Sequence, residues 1–143
     1  MAEKKLMDNF KTVLRKEGLK ITPQRVAILK EIIKDKGHRE SEDIYLAIKS
    51  GKTYVSRATV YRTLNILVQN QFVRKLNLGD GRERYESKIN SLHHDHLICV
   101  ICHKIIEFVD QDIEMLQGKI AKKYQFSLTR HVHQLFGICK ECR

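Results

Sequence analysis

Ten residues, His93 to Cys102, hold three of the seven histidines and two of the four cysteines of this 143-residue chain, with an aspartate at position 95. The other two cysteines, Cys139 and Cys142, repeat the C-x2-C spacing. Imidazole, carboxylate and thiolate are the usual protein ligands of metal ions, and nitrogen with sulfur suits zinc or iron. One C-x2-C turn presents two thiolates to an ion, and two such turns complete a closed tetrahedral sphere. Cys99, Cys102, Cys139 and Cys142 therefore read as a structural zinc site with a role in folding. A redox dithiol, a pair of disulfides or a rubredoxin-like iron centre would use the same four residues, and spacing alone leaves these open.

Four thiolates fill one coordination sphere, so the histidines need a separate account. In an extended segment alternate side chains face opposite ways. His94 and His96 then share one face, while His93 and Asp95 share the other. One short segment can thus feed two mixed nitrogen and oxygen sites, with His38, Glu86, Glu107, Glu114 and His131 available to complete them. Such sites suit Fe(II), Mn(II), Co(II) or Zn(II). The plainer alternative for any one of these histidines is a surface or hydrogen-bonded role. His103 and His133 read as surface residues without a part.

These side chains must be positioned by the elements around them. Residues 3–17 have helical spacing of Leu6, Phe10, Val13 and Leu14, ended by Gly18. Thr22-Pro23 starts a second helix, with a hydroxyl cap and the single proline at the first helical position. Its stripe is Val26, Leu29, Ile32 and Ile33, fading near Lys36. Ser41-Glu42-Asp43 opens a third helix with Ile44, Tyr45 and Ile48 on its apolar side. Ser56 caps a fourth over 57–70, with Val60, Leu64, Leu67 and Val68 inward.

Residues 72–78 and 82–87 then form a hairpin around Gly79-Asp80-Gly81. Helices followed by such a hairpin make a winged helix-turn-helix. Beyond a polar hinge, residues 96–101 and 104–109 read as paired strands around the first cysteine turn. Residues 110–124 read as a helix with Ile113, Leu116 and Ile120 apolar, and 126–128 and 132–138 as one or two last strands. This division predicts an α+β protein: a winged helix-turn-helix over 1–87, a hinge over 88–92 and a small α/β unit over 93–143. A unit of about fifty residues with few large apolar side chains needs a structural metal or a partner subunit.

Charge separates the two parts. Residues 1–90 carry 20 Lys+Arg against 11 Asp+Glu, and residues 91–143 carry 7 against 6, so nearly all of the +10 lies in the first part. A basic winged helix points to a polyanion. On the fourth helix, Arg57, Tyr61 and Asn65 recur at four-residue spacing with Thr59 and Arg62 beside them. Arg forks onto guanine and Asn onto adenine, and Tyr reaches phosphate or a thymine methyl. No apolar run approaches the roughly 18 residues of a membrane span, and the first ten residues lack a signal-peptide core. A cytoplasmic location follows, where cysteines serve more often as zinc ligands than as disulfides.

A zinc enzyme is the rival from another class. His38-Arg39-Glu40 matches the H-x-E of nucleobase deaminases, but no proline precedes Cys99. A complete four-cysteine sphere also lacks the open position that catalysis needs.

The combination of HHDHLIC with a second cysteine two residues on, ATVYRTL in a winged helix, and a terminal C-x2-C resembles the ferric uptake regulator (Fur) family of bacterial metal-dependent repressors. The resemblance runs from Gly18 to Cys142. It implies an N-terminal domain that binds double-stranded operator DNA and a C-terminal domain that forms a homodimer, with pairing of dimers into tetramers left open. It also implies structural Zn(II) at the four cysteines and a regulatory hinge site at His38, Glu86, His94, His96 and Glu107. A further metal site falls at His93, Asp95, Glu114 and His131. For DNA it points to Tyr61 and Arg62 and to Lys20 in the minor groove, beside Arg57 and Thr59 from the helix pattern.

Peroxide-sensing members usually carry aspartates where this chain has Glu86 and Glu107, and zinc-sensing members often vary the hinge ligands. The expectation is therefore a Fe(II)-dependent repressor of iron-uptake genes, with Mn(II), Co(II) or Zn(II) as substitutes. His103 departs from the pattern, standing where glycine is common.

Overall fold

A computed structural model describes residues 2–89 and 92–143. The expected hinge over 88–92 includes Asn90 and Ser91, which lie outside the described residues. The chain divides into two compact units. The first holds the residues up to Asn77 and those from Gly81 to the hinge; the second holds Leu78–Asp80 and Leu92–Arg143.

The first unit begins with α1, Ala2–Lys16, which buries Phe10 and Leu14. It stops at Gly18, where φ is +69, a left-handed conformation that a side chain resists. Helix α2, Pro23–Lys34, starts as the sequence predicts: the Thr22 hydroxyl accepts from the Arg25 N–H, and Pro23 occupies the first turn. Helix α3, Ser41–Lys49, is capped by Glu40 rather than Ser41, and the Asp43 carboxylate accepts from the Glu40 N–H at 2.9 Å. Helix α4, Arg57–Gln69, has Ser56 as its cap, accepting from the Thr59 N–H.

Strands β1, Val73–Asn77, and β2, Glu83–Ser87, pair antiparallel from Val73↔Ser87 to Asn77↔Glu83. Their connection contains Gly79 and Gly81, both at positive φ. Sixteen buried residues from α1 to β2, among them Phe10, Ile28, Leu29, Ile44, Leu64 and Leu67, make one core. Phe10 meets Phe72 edge to face, with ring centroids 5.9 Å apart.

The second unit contains β3, Asp95–Cys99, β4, Ile105–Phe108, α5, Gln111–Lys123, and β5, Gln134–Gly137. The sheet order is β4-β3-β5, with β4 antiparallel and β5 parallel to β3. A parallel return needs a crossover, and α5 supplies it. Residues 126–128, expected as strand, run as irregular chain between α5 and β5. Phe126 and Leu128 are exposed, so there is no second face against which a strand there would pack.

The two units differ in how much they bury. From residue 92 onward, the buried apolar residues are Ile98, Cys99 and Ala121. Leu116 and Ile120, apolar positions of α5, are 54% and 60% exposed. No helix among the described residues is long and apolar enough to cross a membrane.

Candidate metal centres and DNA-reading face

The four cysteines come together although 36 residues separate the two pairs. Cys99 ends β3 and Cys102 lies in the turn to β4, while Cys139 follows β5, which pairs with β3. All four sulfurs lie within 4.8 Å of one another, and Cys102 and Cys139 are 3.7 Å apart. A disulfide needs about 2.05 Å, whereas an ion about 2.3 Å from each sulfur of a tetrahedron sets edges near 3.8 Å. The spacing therefore fits a tetrahedral ion and rules out formed disulfides in this state.

Backbone N–H groups of Cys102, Cys139 and Ile101 aim at the Cys99 sulfur and draw its pKa down to about 6. Cys142, crowded by the Cys139 and Cys102 sulfurs, is pushed up to about 12. Four adjacent thiols cannot all ionise without a cation to neutralise them. The turn at His103 takes φ +61, which accounts for glycine being common there. His103 itself is half-buried.

A second cluster lies at the other end of β3 from Cys99. His93 and Asp95 leave β3 and its approach on one face and meet Glu114 of α5 and His131 ahead of β5. His93 Nε2 is 3.0 Å from Glu114 Oε1 and 3.5 Å from Asp95 Oδ1. His131 Nε2 is 3.3 Å from Asp95 Oδ1 and 3.4 Å from Glu114 Oε1. Nitrogen and oxygen ligands at about 2.1 Å from an ion are separated by about 3.0 to 3.5 Å. The donor set is two imidazoles and two carboxylates, which suits a divalent ion of the Mn to Zn series.

The remaining candidate ligands form two partial sets, one in each unit. In the first unit, His38 lies between α2 and α3. Paired hydrogen bonds between Arg39 and Tyr85 (Arg39 N–H to Tyr85 O, 3.2 Å; Tyr85 N–H to Arg39 O, 2.7 Å) pin that connection to β2. His38 Nε2 is thereby held 3.3 Å from Glu86 Oε1, and Glu86 is buried.

In the second unit, His96 and Glu107 are register partners across β3 and β4. His94 Nε2 is 3.5 Å from Glu107 Oε1, and the His94 and His96 rings meet with centroids 4.9 Å apart. His94 Nδ1 lies 3.0 Å from the Leu92 carbonyl oxygen. A carbonyl only accepts, so Nδ1 carries the proton and Nε2 is left as the donor atom for an ion.

On α4, Tyr61 and Arg62 are exposed, as is Lys20 before α2. Arg57 is exposed but occupied. Its guanidinium forks onto Glu42, with both hydrogen bonds at 2.8 Å, and lies 4.3 Å from the centre of the Tyr45 ring. Glu42 is drawn below the usual carboxylate range by that hydrogen bond. Thr59 takes part in the α4 cap, its hydroxyl accepting from Ser56 at 3.0 Å. Of the five residues expected to meet DNA, Lys20, Tyr61 and Arg62 present free surface, while Arg57 and Thr59 are engaged within the fold.

His133, which reads as a surface residue from the sequence, lies half-buried with its Nδ1 enclosed beside Asp95. The signal was available: His131 and His133 are two residues apart, as His93 and Asp95 are, and both histidines approach Asp95.

Among known proteins, the pattern of the Ferric uptake regulator family matches residues 16–136. The chain is 44% identical over 139 residues to the ferric uptake regulation protein of Campylobacter upsaliensis, covering 96% of this chain and 88% of that one. It is 33% identical over 130 residues to the peroxide-responsive repressor PerR of Staphylococcus epidermidis, covering 91% and 85%. A solved structure of the Helicobacter pylori ferric uptake regulator, described as revealing three functional metal binding sites, superposes with a TM-score of 0.84. It is 36% identical, over 99% of this chain and 93% of that one.

Proposed function

The chain belongs to the ferric uptake regulator family and is a metal-responsive transcription regulator, not an enzyme; from that premise we propose that it is a dimeric repressor that answers Fe(II) and controls iron-uptake genes in the cytoplasm. The observation that carries this reading is the pair of half-sets. His38 and Glu86 are already side by side in the winged-helix unit, and His94 and Glu107 are side by side with His96 in the other. Neither set alone offers more than three donors, and together they offer five.

When bound, Fe(II) supplies a single charge centre that favours all five donors in one arrangement. His38 and Glu86 then tie the winged helix to the strands that carry His94, His96 and Glu107. A dimer reads two half-sites only when its recognition helices are correctly separated. Residues that restrict the relative orientation of the units therefore raise operator affinity, by as much as they prefer the DNA-competent state. Tyr61 and Arg62 of α4 face the major groove, and Lys20 reaches the adjacent backbone or minor groove. Arg57 joins them by releasing Glu42.

The four cysteines hold Zn(II) as a folding element, and His93, Asp95, Glu114 and His131 hold a further divalent ion. Dimerisation rests on the apolar surface that the second unit leaves open: Leu116, Ile120, Tyr124, Phe126 and Leu128 are all more than half exposed. A continuous apolar patch of that kind on so small a unit calls for a partner surface.

The PerR relatives make peroxide sensing the second reading. Glutamates at 86 and 107, where peroxide sensors usually carry aspartates, favour iron sensing. The proposal predicts no oxygen addition to His38, His94 or His96 by mass spectrometry after peroxide treatment of the Fe(II)-loaded protein.

Operator binding measured at fixed salt against buffered free Fe(II), Mn(II) and Zn(II) tests the proposal. Salt must be constant because phosphate contacts make affinity steeply salt-dependent. The His94→Ala/His96→Ala variant is expected to lose metal-dependent binding while keeping its cysteine-bound zinc. Operator affinity that still rises with Fe(II) in that variant would contradict it.

A further inference from the structure

Asp95 is 2% exposed, and its two carboxylate oxygens have different surroundings. Oδ1 faces His131 and His93. Oδ2 is sealed from solvent and has no hydrogen-bond partner among the described residues. The same holds for Nδ1 of His133. These two unpartnered atoms lie 3.9 Å apart. Buried polar groups without partners are uncommon, and a matched donor and acceptor side by side have a physical reason to be there.

The register of the sheet creates this meeting. The parallel pairing His96↔Gln134, together with the His96 N–H donating to the His133 carbonyl at 3.2 Å, sets His133 beside Asp95 on the same face. On the other side of β3, Phe108 is the partner of Asp95. The Phe108 ring meets the His133 ring edge-on, with centroids 6.1 Å apart and planes at 76°. The His133 imidazole is thus backed by an aromatic ring while its Nδ1 is aimed at a carboxylate. Because Oδ2 only accepts, a hydrogen bond between the two needs the proton on Nδ1 of His133. Closing 3.9 Å to a normal hydrogen bond takes a shift of about 1 Å.

His133 is outside the set of four whose donor atoms lie within 4.8 Å of one another. Its place is therefore behind the ligands and not among them. Carboxylates that bind ions are themselves held by hydrogen bonds to their outer oxygen, which fix orientation and keep one oxygen turned to the ion.

We propose that His133 is the positioning residue of the cluster of His93, Asp95, Glu114 and His131: its Nδ1–H holds Asp95 Oδ2 and keeps Oδ1 turned toward the other three donors for a divalent cation. This rests on reading that cluster as a metal site, so the test must separate the two.

The experiment measures Co(II) affinity by competition with a chromophoric chelator. It uses full-length, zinc-loaded protein in a His38→Ala/Glu107→Gln background that weakens the hinge set. His131→Ala is the control for the site itself. It should remove one bound Co(II) per chain, and if it does not, the metal-site reading fails. His133→Ala should weaken Co(II) binding by about 10- to 100-fold, with cysteine zinc content and helical circular dichroism unchanged. His133→Asn should restore most of the affinity, because its amide N–H can occupy the place of Nδ1–H. An affinity in His133→Ala within twofold of the parent, with His131→Ala still losing its ion, overturns the positioning role. Equal losses in the alanine and asparagine variants also overturn it, since they would reflect packing and not the donor.

Discussion

The side chains of residues 93 to 96 leave an extended segment in alternate directions, and that alternation separates two groups of donors. His93 and Asp95 meet Glu114 and His131, while His94 and His96 turn toward Glu107. The sequence carried this division because a strand's period of two is set by backbone geometry alone. The outer residue was harder to read. His133 looks idle until the register of a parallel strand, which no local pattern encodes, sets it beside Asp95. Arg57 was obscured in a similar way. Helical spacing gives its face but not its pairing with Glu42, fifteen residues away on another helix. The cysteines allow a prediction at this scale. Cys139→Ser removes a thiolate from a sphere whose binding energy is also folding energy. Elemental analysis should find that one zinc per chain is lost, and thermal melting should find the second unit unfolding first. Retention of that zinc would mean the four sulfurs do not share an ion.

Among the elements, helix starts were legible and strand ends less so. Thr22, Pro23 and Ser56 act locally, through hydroxyl oxygens that accept from the first free N–H groups. Helix α3 shows the limit of that reasoning, since Glu40 takes the cap position one residue before the serine. The segment 126–128 has the apolar content of a strand but no neighbouring strand to pair with, and pairing is a tertiary property. The cap of α4 matters most here, because that helix carries Tyr61 and Arg62. Ser56→Ala leaves the Thr59 N–H without its acceptor and should cost about 1 kcal/mol. Urea unfolding of the metal-loaded protein should register that loss as a lower midpoint at unchanged slope. No change in midpoint would show that water replaces the cap fully.

For the whole molecule, the first unit has a large core, and from residue 92 onward only Ile98, Cys99 and Ala121 are buried apolar residues. Sixteen buried residues run from α1 to β2, whereas α5 exposes Met115, Leu116 and Ile120. Periodicity identified the α5 stripe but could not tell that it points outward, since the same pattern serves a core or an interface. Ile120→Glu places a charge in that stripe. The account predicts a sedimenting species of half the mass and loss of operator binding, with the first unit still folded; an unchanged mass would remove this face from the dimer contact. The central claim is that donors from both units answer one ion, and it is tested most directly from the winged-helix side. His38→Ala removes a donor that lies far in sequence from the strands carrying the rest. Operator affinity should be measured against buffered Fe(II) for this variant and its parent at the same salt. The account predicts that the Fe(II)-dependent gain is lost, with cysteine zinc and metal-free affinity unchanged. An equal gain at the same free Fe(II) in both proteins would contradict it.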